Sequence, residues 1–184
     1  MRIFGWLCLL FLAGCASSVP RTTTRPAQVD APFTFNGRVA VKQDGERSSA
    51  NLRWVHHSGN DEILLMGPLG KTVARIQRDA NGVILDTSDK HYAARDAETL
   101  TQQALGWSLP LSGLRYWVQA TAAPDNAFEA ERDADGRLRE LHQSGWVIRY
   151  AQYADTSITA LPLRLSLQRE HLELLLLIDE WEAQ

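Results

Sequence analysis

FTFNGRVAVKQDGERSSANLRWV, residues 33–55, is the stretch that settles the fold class. Phe33, Phe35, Gly37, Val39 and Val41 alternate with polar or small residues, the period-two signature of a half-buried strand. Asp44-Gly45 supplies a two-residue hairpin turn, and Ala50, Leu52 and Trp54 resume the alternation on the return strand. The same grammar continues downstream. Ser58-Gly59-Asn60 closes the second strand, and the apolar run Ile63 to Met66 ends at Gly67-Pro68-Leu69-Gly70. Lys71 to Asp79 is joined through Asn81-Gly82 to Val83-Ile84-Leu85. After a break come Phe128 and Ala130, the turn Asp135-Gly136, and Leu138 to His142. Trp146-Ile148-Tyr150, Leu163-Leu165-Leu167 and Leu172-Leu174-Leu176-Ile178 follow. Short strands in chain order, joined by tight turns, describe an antiparallel meander in a mainly β protein.

Two helical patches fill the break. Asp96 can cap a helix in which Ala97, Leu100 and Ala104 share a face, with Gly106 as its stop. Ser112 can cap a second, bearing Leu114, Trp117 and Val118 at helical spacing. The last strand, HLELLLLIDEW (171–181), is apolar on both faces. Two arrangements produce that pattern: a central strand covered on both sides, or a sheet curled around something apolar while its other face packs on a helix.

The N-terminus has a different character. Arg2 precedes the apolar run Ile3 to Ala13, which ends in Leu12-Ala13-Gly14-Cys15. Charged start, apolar run and small-residue cleavage site form a secretory signal, and the run is shorter than the ~20 residues that span a bilayer. Leu-Ala-Gly-Cys looks like the lipobox of bacterial lipoproteins, with a signal peptide at 1–14 and Cys15 becoming the lipidated N-terminus. Three acyl chains anchor a protein permanently in practice. Ala16 stands where aspartate commonly directs inner-membrane retention, which favours the outer membrane, periplasmic face. Ala16 to Pro32 is rich in Ser, Thr and Pro and reads as a flexible tether that reaches roughly 55 Å if extended. Residues 33–184 then form the folded domain.

Cleavage discards Cys8 and lipidation blocks Cys15, so the two cysteines leave none for a disulfide or a zinc site. Removing 14 of 184 residues leaves 170, enough for one sizeable core. Only Arg2 among the charged residues is lost, taking the net charge from −3 to −4, which argues against a nucleic-acid partner. Neither a phosphate-binding glycine loop nor a GxSxG elbow nor HExxH is present. His56 and His57 point to opposite faces of a strand and cannot simply clamp one metal. No catalytic residue, cofactor or metal is expected, and the chain reads as a monomeric non-enzyme. Five tryptophans remain after cleavage: Trp54, Trp107, Trp117, Trp146 and Trp181. Each alone is ordinary core, but several on one concave sheet would line an apolar cavity.

Taken in order, FNGRVAV (35–41), Leu52-Arg53-Trp54, LLMGPLG (64–70), DAETL (96–100), Leu109-Pro110-Leu111 with Leu114-Arg115-Tyr116-Trp117, Gly145 to Tyr150, and Leu161-Pro162 before a strand ending in Trp181 resemble the LolB family of outer-membrane lipoprotein receptors. The resemblance covers Phe33 to Trp181. One departure is that Gln119-Ala120-Thr121-Ala122 stands where family members often carry a Gly-x-Pro turn. The family resemblance implies an incomplete antiparallel β-barrel with a lid of short α-helices enclosing a hydrophobic cavity. It also implies three partners: a soluble periplasmic lipoprotein carrier (LolA-like), acylated lipoprotein cargo, and outer-membrane lipid. Strand parity nominates Leu52, Trp54, Leu65, Leu85, Trp117, Trp146, Ile148 and Leu165 for the cavity. Pro68 suits the second position of a β-turn and Gly70 the fourth, which puts Leu69 at the tip. The resemblance implies that this leucine dips into the bilayer. Arg38 either hydrogen-bonds a lid loop or faces outward. A competing reading is a structural or assembly-factor lipoprotein that binds a protein partner; it needs no interior open to acyl chains.

Overall fold

A computed structural model describes residues 30–124 and 126–182. The expected signal peptide, Cys15 and most of the expected tether lie outside the described residues. Eleven strands form a single antiparallel sheet. They are β1 (Phe33–Gln43), β2 (Glu46–His57), β3 (Asn60–Met66), β4 (Thr72–Asp79), β5 (Gly82–Thr87), β6 (His91–Ala94), β7 (Phe128–Arg132), β8 (Leu138–Gln143), β9 (Trp146–Tyr153), β10 (Pro162–Arg169) and β11 (Leu172–Trp181). Two helices, α1 (Ala97–Leu105) and α2 (Leu111–Trp117), fall between β6 and β7. In space the order is β6-β5-β4-β3-β2-β1-β11-β10-β9-β8-β7. Every neighbour but one is a sequential hairpin, and the exception is β1 pairing with β11. β6 and β7 are left as edges, so the barrel is incomplete, and the two helices lie in the link between those edges.

Local chemistry accounts for the hairpins. Asp44 and Gly45 have φ of 50° and 90° between the paired Gln43 and Glu46, the twist that suits a two-residue turn. The loop between β4 and β5 is centred on Ala80-Asn81, one residue earlier than Asn81-Gly82 implied, because Asp79 pairs with Gly82. There the Asp79 carboxylate accepts from the Asn81 and Gly82 amides at 2.7 and 3.2 Å. β6 has no apolar alternation to announce it; it is a four-residue edge strand, HYAA. The β1–β11 register shifts between Asn36, paired with Glu180, and Gly37, paired with Ile178, and a Cβ on Gly37 would lie 2.2 Å from the Leu177 carbonyl oxygen. Glycine is what lets the two strands close the middle of the sheet.

β11 resolves its two-faced pattern in a way neither alternative anticipated. Leu174, Leu176 and Ile178 face the core, while Leu175 and Leu177 are half-buried on the outer face. No helix covers them among the described residues: α1 packs on β5 and β6, and α2 brings Leu114 to the inner side, against Leu174 and Leu176. Leu177 instead sits between Arg38 and Arg164 of the neighbouring strands. Arg38 belongs to this outer face too. Its guanidinium grips Asp179 with two bonds, Nε to Oδ2 at 3.1 Å and Nη2 to Oδ1 at 2.7 Å. A lid role for Arg38 is therefore corrected: strand parity turns it away from the helices. Lys42 to Glu173 and Arg149 to Glu140, at 2.8 and 2.7 Å, extend the ion-paired exterior.

Candidate functional site: an apolar cavity under a helical lid

The inner face of the sheet supplies the floor. Leu52 and Trp54 of β2, Ile63 and Leu65 of β3, Ile76 of β4, Leu167 of β10 and Leu174 and Leu176 of β11 converge there. Trp107, Leu109 and Leu114 close it from the lid side. Every lining side chain is apolar, and the space between them is about 30 Å³, room for no more than a few water-sized spheres. The polar edge of Trp54 is turned aside, its Nε1 donating to Oδ1 of Asp61 at 2.8 Å.

The lid is built from short-range signals. Asp96 caps α1 by accepting from the Thr99 amide at 2.7 Å; the same bond holds its carboxyl below the usual carboxylate range. Gly106 ends α1 at φ 79°. Thr101 then folds the connection back, donating to the Ala97 carbonyl at 2.7 Å and accepting from the Leu109 amide at 2.8 Å. Ser112 does not cap α2. The helix begins at Leu111 after Pro110, and Ser112 donates instead to Oε1 of Glu98 at 2.6 Å, stapling the two helices together. Within α2, a Cβ on Gly113 would lie 2.4 Å from the Trp117 ring; glycine lets that indole lie along the helix.

The far end of the lid is fastened to the other edge of the barrel. Buried Gln143, the last residue of β8, accepts from Trp117 Nε1 and from the Ala123 amide, both at 2.8 Å. Its amide donates to the Ala123 carbonyl at 2.8 Å. Tyr150 of β9 donates to the Trp117 carbonyl at 3.0 Å. The lid thus spans from β5–β6 to β8–β9. In the segment lacking Gly-x-Pro, Ala120 takes φ 51° and the Gln119 and Thr121 amides both donate to the Tyr116 carbonyl.

The nominated cavity residues divide. Leu52, Trp54 and Leu65 line the cavity. Leu85, Ile148 and Leu165 are fully buried in the same core without bordering it. Trp117 and Trp146 are buried at its far side, where they also border a separate polar surface pocket that includes Arg115 and Arg169. Strand parity could not reveal Trp107 and Leu109, which lie in the loop between the helices. Leu69 stands at the tip of its turn, 98% exposed. The turn is closed by the Gly70 amide donating to the Gly67 carbonyl at 2.9 Å, with Pro68 second and Gly70 fourth.

Beside the cavity lies a buried ionic cluster that no sequence motif announced. His56 is fully buried, its Nδ1 2.7 Å from Oδ1 of Asp61. Arg78 donates to Oδ2 of Asp61 at 2.5 Å. Burial pushes the Asp61 carboxyl up, but His56, Arg78 and Trp54 together hold it below the usual carboxylate range. Among the described residues, no three His, Cys, Asp or Glu side chains are arranged so that they could hold a metal ion.

A family profile described as "Outer membrane lipoprotein LolB" matches residues 31–181. An outer-membrane lipoprotein LolB from Nitrosomonas europaea is 40% identical, covering 96% of this chain and 90% of that protein. One from Chromobacterium violaceum is also 40% identical, covering 94% of each. Among solved structures, a LolA superfamily protein from Nitrosomonas europaea superposes with a TM-score of 0.53 at 9% identity, covering 85% of this chain and 88% of that one. A putative outer-membrane lipoprotein-sorting protein domain from Vibrio parahaemolyticus gives 0.51 at 10% identity, covering 85% of this chain and 87% of that one. These two likenesses concern the fold alone. The family match, spanning nearly the whole described chain, means that the chain belongs to the LolB family of outer-membrane lipoproteins.

Proposed function

We propose that the protein is a lipid-anchored outer-membrane receptor that takes triacylated lipoproteins from a soluble periplasmic carrier and passes them into the membrane. The observation that carries this reading is the wholly apolar cavity enclosed between the sheet and a helical lid. An acyl chain of about 15 CH₂ groups costs on the order of 12 kcal/mol to expose to water, at roughly 0.8 kcal/mol per CH₂. Apolar walls offset that cost without directional contacts, which suits cargo proteins that differ in everything but their lipid.

A space of about 30 Å³ is far too small for even one such chain. Loading therefore requires Trp107, Leu109 and Leu114 to withdraw from the sheet. Their apolar surface closes the cavity, so the lid and the cargo compete for the same walls. That competition keeps cargo affinity below that of a bilayer, and transfer runs downhill from carrier to receptor to membrane without an energy source. No bond is made or broken, and the role needs neither a catalytic residue nor a cofactor. Cys15 would hold the monomer at the periplasmic face of the outer membrane. Leu69 and Pro68, on a turn that presents one bare leucine, would enter the bilayer as cargo leaves.

The test is Leu109→Glu or Leu114→Glu in a cargo-uptake assay, with each variant first shown to be folded by circular dichroism. A carboxylate at the cavity mouth should abolish uptake of labelled lipoprotein. Uptake at the native rate would remove the cavity from the mechanism.

A further inference from the structure

Asp30 lies three residues before β1, in the stem that leads into the domain. Its Oδ1 lies 3.1 Å from Nε2 of His56 and 3.5 Å from Nε of Arg115 on α2. That Arg115 nitrogen is buried and makes no hydrogen bond among the described residues, so the Asp30 charge is what offsets its burial. One residue on, Ala31 is itself buried, and its carbonyl accepts from Gln119 just beyond α2 at 3.5 Å. The stem of the chain therefore rests on the lid helix on one side and on His56 on the other.

We infer that Asp30 is a positioning residue that couples the stem of the chain to the lid, holding Arg115 of α2 against the buried His56–Asp61 pair and keeping the cavity shut. The inference rests on reading α1 and α2 as the lid of a cargo cavity. A pull on the stem displaces Asp30, strips Arg115 of its counter-charge and loosens α2. The groups around His56 brace this contact. Phe33 of β1 stacks on its ring at 4.9 Å between centroids. Asp61 of β3 and Asp30 of the stem face its two nitrogens, with Arg78 of β4 behind the first and Arg115 of α2 behind the second. Asp61 is also held by Trp54 and Arg78, whereas Asp30 has only Arg115 besides the ring among the described residues, so Asp30 is the contact that gives way first.

Amide hydrogen exchange on the full chain, with neither cargo nor carrier present, tests this. The readouts are the Leu114 and Val118 amides, bonded to the Pro110 and Leu114 carbonyls at 2.8 and 2.9 Å. Asp30→Ala and Arg115→Ala should each speed their exchange roughly three- to tenfold, the effect of losing one partly buried charged contact. Their double variant should be no faster than either alone, and β3 amides should be unchanged. Unchanged α2 exchange in either single variant, or multiplying effects in the double, would overturn the inference. Because no cargo enters the experiment, its failure would leave the receptor reading standing, and a failure to take cargo would leave this result as it is.

Discussion

Leu69→Glu separates folding from membrane contact. Leu69 is 98% exposed, so the substitution removes no packing and should change folding stability by less than about 0.5 kcal/mol. The turn beneath it is held by backbone bonds alone, from the Gly70 amide to the Gly67 carbonyl and from the Gly67 amide to the Lys71 carbonyl, both 2.9 Å. A leucine moved wholly from water into hydrocarbon gains about 1.5–3 kcal/mol, and a carboxylate gains nothing there. A loss of about 2 kcal/mol corresponds to roughly thirtyfold weaker partitioning. The assay is co-sedimentation of the domain freed of residues 1–29 with liposomes, paired with thermal unfolding and with cargo uptake from the carrier. Partitioning should fall by more than an order of magnitude while the melting temperature and uptake stay native. Native partitioning by the glutamate variant would refute the reasoning, because Leu69 would then not enter the bilayer, and so would a large drop in melting temperature, because Leu69 would then do its work inside the fold.

Further substitutions test the frame around the cavity. Gly37→Ala places a Cβ 2.2 Å from the Leu177 carbonyl oxygen and should cost about 2–4 kcal/mol of stability, read as a lower urea midpoint. Gln143→Leu strands the Trp117 indole N–H and both backbone groups of Ala123. It should destabilise by about 2–4 kcal/mol and change the near-ultraviolet tryptophan signal. At Ala120, whose φ is 51°, Ala120→Gly should relieve left-handed strain and raise the melting temperature, by up to about 1 kcal/mol in stability. Because the Asp61 carboxyl is held below its ordinary value when folded, its contribution is complete above the unfolded pKa and lost as pH falls through the folded one. Asp61→Asn should accordingly lower stability near neutrality and shrink the difference from the native protein as the solution is acidified.

The sequence disclosed most where the physics is local. Asp44-Gly45 announced its hairpin because few residues tolerate such a turn, Asn81-Gly82 announced one a residue away from its actual loop, and Asp96 and Gly106 framed α1 because helix ends need those partners. Parity along β2 and β3 put Leu52, Trp54 and Leu65 on the cavity wall. What escaped depends on contacts between distant residues. The Trp107–Leu109 loop obeys no period, and His56, Asp61, Arg78 and Asp30 meet only once four separate segments have come together. Ser112 resembled a cap by residue type but faces Glu98 of the other helix, a contact that no local pattern encodes. Arg38 was ambiguous for the same reason: its partner Asp179 lies 141 residues away.

Transfer of a labelled triacylated lipoprotein from its purified periplasmic carrier to the domain freed of residues 1–29, and then to liposomes, bears most directly on the proposed role. The expected result is that cargo leaves the carrier, appears on the domain, and moves onward without nucleotide or other energy source. If a carrier known to be loaded never yields its cargo to the folded domain, the cavity does not receive acyl chains, and a structural lipoprotein that binds a protein partner becomes the better description.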